Sequence, residues 1–378
     1  MFQGLHRAAY TGGGYACTSN WPALRNLITK PQDPRGSDEP LAIDGSAGEG
    51  GGQILRSSLS LSLVTGRPFR LFNIRARRQR PGLQAQHLAA VRAAAAVGQA
   101  EVSGGSAGSQ ELTFRPGAVA PGDYTLDVGT AGSTLLVLQT VLPPLMVASG
   151  PTALLIEGGT HNPLAPPFEF IAKTFLPLVE RMGPRVQMKL DRHGFYPTGG
   201  GKIRVTIQPS PVLTRLNLPE RVEWRRRRAI ALVANLPRHV AERELKVLKR
   251  GLRLDPRDLR VDEGQARSPG NVAFVELESD ELTEVFASFG ELGLRAETVA
   301  ARLVDSVGQF LEAGSPVGEH LADQLLLPMA LAGGGSFFTA PLSLHARTNI
   351  EVLKLFLPVE VQVAPVSDRS VRVEVICL

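Results

Sequence analysis

Leu41-Ala-Ile-Asp-Gly-Ser-Ala-Gly-Glu-Gly-Gly-Gly-Gln-Ile-Leu-Arg56 reads as a short strand, Leu41 to Asp44, that breaks on glycines and opens a helix. Beyond the break, Ile54, Leu55, Leu59 and Val64 fall on one helical face. Pro68 to Ile74 alternates as a strand, and Gly82 to Val97 reads as a second helix with Leu83, Leu88 and Val91 inward. The alternation continues through strand pieces at Glu111 to Phe114 and Tyr124 to Val128, a helix at Ser133 to Ala148 and a strand at Ala153 to Glu157. Pro166-Pro167 suits the first turn of a helix ending near Met182. Strands at Val186 to Leu190 and Lys202 to Ile207 then flank the turn-rich Gly194-Phe-Tyr-Pro-Thr-Gly-Gly-Gly201.

At about Asn217 the texture changes: glycine becomes sparse, charge rises, and a βαβ-like pattern appears at Ala229 to Ala234, Val240 to Leu252 and Val272 to Leu277. Helices at Ala296 to Glu312 and Val317 to Ala332, a strand at Ser336 to Ala340 and closing strands near Val359 and Val371 follow. Triple glycines recur at Gly50–Gly52, Gly199–Gly201 and Gly333–Gly335, each expected near a strand–helix junction. This pattern predicts an α/β (α+β) chain whose core, residues 41–216 and 315–378, repeats a sheet-plus-two-helix unit. Residues 217–314 are expected to form a small inserted α/β domain.

The chain has 378 residues, enough for two or three domains at roughly 100–200 residues each. With 43% hydrophobic and 20% charged residues it is not disordered throughout. Residues 1–40 lack periodicity and read as a loosely ordered extension or a mis-assigned start. They also lack the order of a secretory signal. The most apolar run, Leu135 to Ala148, is too short for a membrane span and is interrupted by Gln139, Pro143 and Pro144. Cys17 and Cys377 cannot build a metal cage or a disulfide framework, which points to a cytoplasmic setting. Net charge is +5, and only 7 of the 41 basic residues are lysine. Base composition is the ordinary source of such a ratio, so the placement of the arginines carries more meaning than their number.

Three features carry chemistry. Gly48-Glu-Gly-Gly-Gly52 leaves backbone N–H groups free for an anion, yet it is no P-loop and holds a carboxylate, Glu49. A divalent metal between Glu49 and a phosphate would reconcile the two, with Arg56 in reach; a tight turn with an exposed Glu is the plain alternative. Arg75, Arg77, Arg78 and Arg80 form a basic loop ahead of Gln86-His87, suited to a phosphate-rich ligand or simply solvated. Trp224-Arg-Arg-Arg-Arg228 reads as a solvated face or an auxiliary RNA contact. Among seven histidines no spacing suits zinc; His320 and His345 are candidate nucleophiles, and residue chemistry alone does not choose between them.

Taken together, Asp44 to Arg56, Arg192-His-Gly-Phe-Tyr-Pro-Thr-Gly-Gly-Gly201, Gly132-Ser133 with Gln139, Gly158-Gly-Thr-His-Asn-Pro163 and His320-Leu-Ala-Asp-Gln-Leu325 resemble the motifs of the RNA 3′-terminal phosphate cyclases. The resemblance runs from Leu41 to the C-terminus. It implies a core of four-stranded sheets, each backed by two helices, with a small βα module inserted. It further implies an ATP-dependent conversion of RNA 3′-phosphate ends to 2′,3′-cyclic phosphodiesters through a covalent histidine–AMP and an RNA-adenylate. By position it makes His345 the nucleophile, with Glu49, Arg56 and Asp323 catalytic and Glu49 meeting Mg or Mn. Asp323 would orient the histidine or the ribose. Arg75, Arg78, Gln86, Gln139, Pro166, His320 and Gln324 would hold ATP, with Pro166 and His320 sandwiching adenine. Arg75, Arg78 and His87 would also meet the RNA end. The rivals are a non-catalytic cyclase-like ribosomal RNA processing factor and an enolpyruvyl transferase, which shares the repeated architecture. No membrane partner is expected.

Overall fold

A computed structural model describes residues 39–378; the expectations for the N-terminal extension and for Cys17 lie outside them. Three sheets share one topology. The first orders β1 (Leu41–Asp44), β2 (Phe69–Phe72), β4 (Leu112–Arg115) and β3 (Glu101–Ser103), with the first pair parallel and the rest antiparallel. The second repeats this with β5 (Asp123–Asp127), β6 (Thr152–Gly158), β8 (Gly201–Gln208) and β7 (Arg185–Arg192). The third does so with β9 (Leu216–Asn217), β14 (Gly334–Thr339), β16 (Ser370–Cys377) and β15 (Val359–Ser367). Each unit runs strand, helix, strand, helix, strand, strand. The helices are α1 (Gly52–Thr65) and α2 (Ala85–Gly98), then α3 (Thr134–Met146) and the composite α4 (168–181), which contains a π turn at Ile171–Phe175.

In the third unit the chain leaves after β9 and forms a fourth sheet before returning. That sheet orders β11 (Leu259–Glu263), β10 (Arg226–Ala234), β12 (Gly270–Glu278) and β13 (Thr283–Phe289), accompanied by α5 (His239–Leu252) and α6 (Ala296–Ala313). Period-2 alternation divides its two faces. Ala229, Ala231, Val233, Ala273 and Val275 pack with α5 and α6, whereas Ile230, Leu232, Val272 and Phe274 join the main core. The third unit then resumes with α7 (Glu319–Leu331) and α8 (Leu344–Phe356).

Three sequence expectations change. Pro166 and Pro167 precede α4, with Pro167 at its N-cap, rather than lying in its first turn. Gly199–Gly201 lies between two strands rather than at a strand–helix junction. Helix α8 was not expected, although Ser343 caps it by accepting from Ala346 N, and Ala346, Ile350, Leu353 and Phe356 form its buried stripe.

Helix α1 is buried on nearly every side; from Gln53 to Thr65 every residue is buried except Arg56, which is half-buried. Its Ser-Leu alternation still makes a helix because small serines let neighbours approach from all directions, so no amphipathic stripe is needed. Helices α1, α3 and α7 meet at one cavity through equivalent residues. Each contributes the sixth residue after its N-cap: Ser57 after Gly51, Gln139 after Ser133, Gln324 after Gly318. Pro143 and Pro328 follow the two glutamines by four residues and deprive their carbonyls of the usual helical donor. Among the described residues no helix is long and apolar enough to cross a membrane.

Candidate active site

The glycine loop sits against the start of α8. Gly48 has φ +52°, and a Cβ there would lie 2.2 Å from Thr348 Oγ1, so both conformation and proximity require glycine. Glu49 N donates to that Thr348 hydroxyl at 3.0 Å, which ties the loop to the helix that presents His345. Glu49 thereby comes within 3.8 Å of His345 Nε2.

The other ring edge of His345 is held by a residue not anticipated from sequence. His345 Nδ1 lies 2.6 Å from Gln53 Oε1, while Gln53 Nε2 donates to Asp323 Oδ1 at 2.6 Å. Asn349 Nδ2 donates to the same Asp323 oxygen at 3.2 Å, and its own carbonyl accepts from Ser57 Oγ at 2.8 Å. This string has one consistent direction. An Asp323 carboxylate requires the Gln53 amide nitrogen, so the Gln53 oxygen faces the imidazole and accepts its Nδ1 proton. Nε2 then carries the lone pair, on the edge facing Glu49. Asp323 thus orients the histidine through Gln53 rather than by touching it. Burial pushes the Asp323 carboxyl up, opposed first by the Gln53 hydrogen bond and then electrostatically by His345 and Arg56.

The phosphate-type residues fall into two sets. Arg56 has no hydrogen-bond acceptor among the described residues, and burial lowers it to about 10, with Asp323 opposing. It remains cationic at neutral pH and faces the cavity shared with Gln139 and Gln324. In that cavity wall Gln139 Nε2 and Gln324 Oε1 are buried without partners. A cavity lined by a guanidinium and by two amide side chains that each keep an unpaired polar atom suits a ligand with anionic and hydroxyl oxygens. His87 lies beside Gly52, where a Cβ would sit 2.5 Å from its Nε2. Burial, then Arg75 and Arg56, depress His87 to about 4, so it is neutral. Its Nδ1 accepts from Gln84 N at 3.1 Å, leaving Nε2–H as a neutral donor.

The remaining expected residues are already engaged or lie apart. Arg78 is ion-paired with Glu49 and donates to its carbonyl at 3.2 Å. Arg75, at φ +53°, braces its own loop through the carbonyls of Arg80 (2.6 Å) and Gly82 (3.2 Å). Gln86 accepts from Ser133 N at 3.2 Å, where α3 begins. Pro166 lies in the loop before α4, and His320 is exposed at the second residue of α7. The Trp224–Arg228 cluster is not a free basic patch: Arg225 pairs with Asp280, Arg226 with Asp258, and Arg228 with Glu276 and Glu278.

Among the described residues no three His, Cys, Asp or Glu side chains gather as a metal-binding cluster. Glu49 Oε2 is nevertheless buried without a partner. One carboxylate with an unpaired oxygen beside the Arg78 guanidinium and the His345 imidazole fits the way Mg²⁺ is held, by one or two carboxylates together with substrate phosphates.

Comparison with known proteins adds to this geometry. The family model described as RNA 3′-terminal phosphate cyclase matches residues 47–363. The RNA 3′-terminal phosphate cyclase of Koribacter versatilis is 52% identical over 325 residues, covering 86% of this chain and 92% of that protein. The protein of the same name from Ectopseudomonas mendocina is 50% identical over 335 residues, covering 88% of this chain and 97% of that one. An EPSP synthase structure from Acinetobacter baumannii spans 90% of this chain and 65% of that chain at 13% identity, but a TM-score of 0.28 carries no argument. With a family match across most of its length and relatives identical at half their positions, the chain belongs to the RNA 3′-terminal phosphate cyclase family.

Proposed function

We propose that this chain uses ATP to convert an RNA 3′-phosphate end into a 2′,3′-cyclic phosphodiester, with His345 as a transient carrier of AMP. The Nε2 lone pair of His345 attacks the α-phosphorus, and the bond to the bridging oxygen breaks to release pyrophosphate. An oxygen of the RNA 3′-phosphate then displaces the histidine from the AMP phosphorus. Last, the neighbouring 2′-hydroxyl attacks the 3′-phosphorus, AMP leaves, and the hydroxyl proton passes to solvent. That closing step is intramolecular and gains from enforced proximity.

In this reading Gln53 and Asp323 keep the proton on Nδ1. Arg56, Gln139 and Gln324 meet the nucleotide in the cavity, with Pro166 and His320 on either side of the base. Arg75, Arg78 and His87 receive the 3′-phosphate, and Gln86 supports the start of α3. Magnesium or manganese held by Glu49 would offset charge on the departing pyrophosphate, and its arrival would free Arg78 for phosphate. Residues 41–216 with 315–378 form the catalytic core, residues 217–314 are the inserted domain, and the setting is cytoplasmic.

The observation that carries the proposal is the imidazole held at Nδ1 by Gln53, with Nε2 directed towards the Glu49 carboxylate, while Gln53 also lines the cavity into which the Arg56 guanidinium faces. The test is incubation of the full chain with ATP, magnesium and an oligoribonucleotide ending in 3′-phosphate. Formation of an end resistant to phosphatase is expected, and none with a 3′-hydroxyl oligonucleotide. A 3′-phosphate end left unchanged in the presence of ATP would refute it.

A further inference from the structure

The fourth sheet touches both segments that carry the proposed base-binding residues. On the α4 side, Glu276 of β12 is 1% exposed and ion-paired with Lys173 of the π turn. Arg181, at the end of α4, donates to Glu281 O at 2.9 Å in the turn between β12 and β13. The loop leading to Pro166 is gripped indirectly. Thr160 N and His161 N donate to Gly194 O at 2.9 and 3.1 Å. The flanking His193 N and Phe195 O bond Gln265 O (3.1 Å) and Ser268 Oγ (3.0 Å) of the insert.

On the α7 side the contact is a single buried carboxyl group. Glu284 of β13 is 2% exposed, and its Oε1 accepts from Gly318 N at 2.6 Å, at the N-cap of the helix that bears His320, Asp323 and Gln324. A Cβ at residue 318 would lie 3.1 Å from that oxygen, so glycine there permits the approach. The Glu284 oxygen thereby satisfies one of the N–H groups that the start of a helix leaves unpaired, whichever protonation state the carboxyl holds. Pro166 and His320 belong to different repeats, and the insert is hydrogen-bonded to the segments of both.

We propose that the inserted domain is a bracket that sets the separation between the Pro166 loop and the start of α7, with Glu284 the positioning residue at the α7 end. This rests on the nucleobase site proposed above. In that role the insert controls how tightly the base is held and leaves the triphosphate contacts unaffected.

The test uses the full chain carrying His345→Ala, so that binding is read without turnover, and titrates magnesium ATP and magnesium tripolyphosphate calorimetrically. Glu284→Ala is expected to weaken ATP about tenfold, as for the loss of one buried hydrogen bond, and to leave tripolyphosphate unchanged. Glu284→Gln, which keeps an acceptor for Gly318 N, should restore ATP binding. Lys173→Met, which cuts the other arm, should also weaken ATP selectively, and it decides the matter if Glu284→Ala does not fold. His320→Ala separates the two readings. ATP weakened by His320→Ala but unaffected by Glu284→Ala and Lys173→Met overturns the bracket alone. ATP unaffected by His320→Ala overturns the base site and the bracket with it, and equal losses of ATP and tripolyphosphate in Glu284→Ala overturn the bracket as a device acting on the base.

Discussion

Replacing Gln53 by methionine keeps the volume of a side chain that is 6% exposed while removing both of its hydrogen bonds. His345 loses the acceptor at 2.6 Å from Nδ1, and Asp323 loses the donor that most opposes its upward shift. Two effects set the magnitude. The imidazole is 54% exposed, so the lost bond to it is worth about 1 kcal/mol, roughly a fivefold fall in the population of the reactive tautomer. Freed of its tether the ring also samples other orientations, and misalignment of a nucleophile costs roughly another order of magnitude. The product is a fall of about 10–100-fold in the rate of adenylation, or about 1.4–2.7 kcal/mol of barrier. Rapid-quench single-turnover experiments with ATP labelled at the α-phosphate would read this as protein-bound label against time. The loss should appear in the saturated rate, with the half-saturating ATP concentration little changed. A rate within twofold of the parent would refute the tautomer assignment. A rise in half-saturating ATP with an unchanged rate would make Gln53 a nucleotide contact instead.

Three further outcomes are expected. Glu49→Ala should abolish adenylation at every magnesium concentration, measured by the same label; activity recovered by excess metal would remove Glu49 as the essential ligand. Arg78→Ala should impair handling of 3′-phosphate ends more than binding of 3′-hydroxyl RNA, compared by cyclisation rate and gel shift, whereas equal losses would indicate general backbone contact. Stability should fall as pH rises. Burial lifts Glu244 to about 7 and Glu284 to about 8 from the ordinary 4.5, so the folded chain holds protons that the unfolded chain releases above about 4.5. Their stabilising effect is complete below that pH and is lost as pH passes through about 7 and about 8, at a slope approaching 1.4 kcal/mol per pH unit per group. Urea unfolding from pH 5 to 8.5 should show this decline, flattened in Glu244→Gln with Glu284→Gln; parallel profiles would refute it.

The strand–glycine–helix opening was legible because three independent signals coincide there: a terminating Asp44, a glycine run and a 3.6-residue apolar period. The repeat was legible through recurring elements, and the change of texture near Asn217 falls at the end of β9. Helix α8 was missed although Ser343 and the Ala346–Ile350–Leu353–Phe356 spacing announce it, because its polar first turn, Leu344-His-Ala-Arg-Thr-Asn349, dilutes the stripe. Gln53 and Asn349 escaped for a deeper reason. Neutral amides have no charge pattern or ligand spacing, and their role exists only once α1, α7 and α8 bring residues nearly three hundred positions apart into contact. Basic runs mislead in the opposite sense: most of the Arg225–Arg228 charge is absorbed by carboxylates facing it in the insert, a pairing set by strand register and invisible along the chain.

The most direct measurement is the intact mass of the full chain after incubation with ATP and magnesium, followed by peptide mapping. One added adenylate, located on the peptide containing His345 and absent from His345→Ala, is the expected result. An unmodified parent protein, or an adduct that persists in His345→Ala, would contradict a histidine-linked nucleotide.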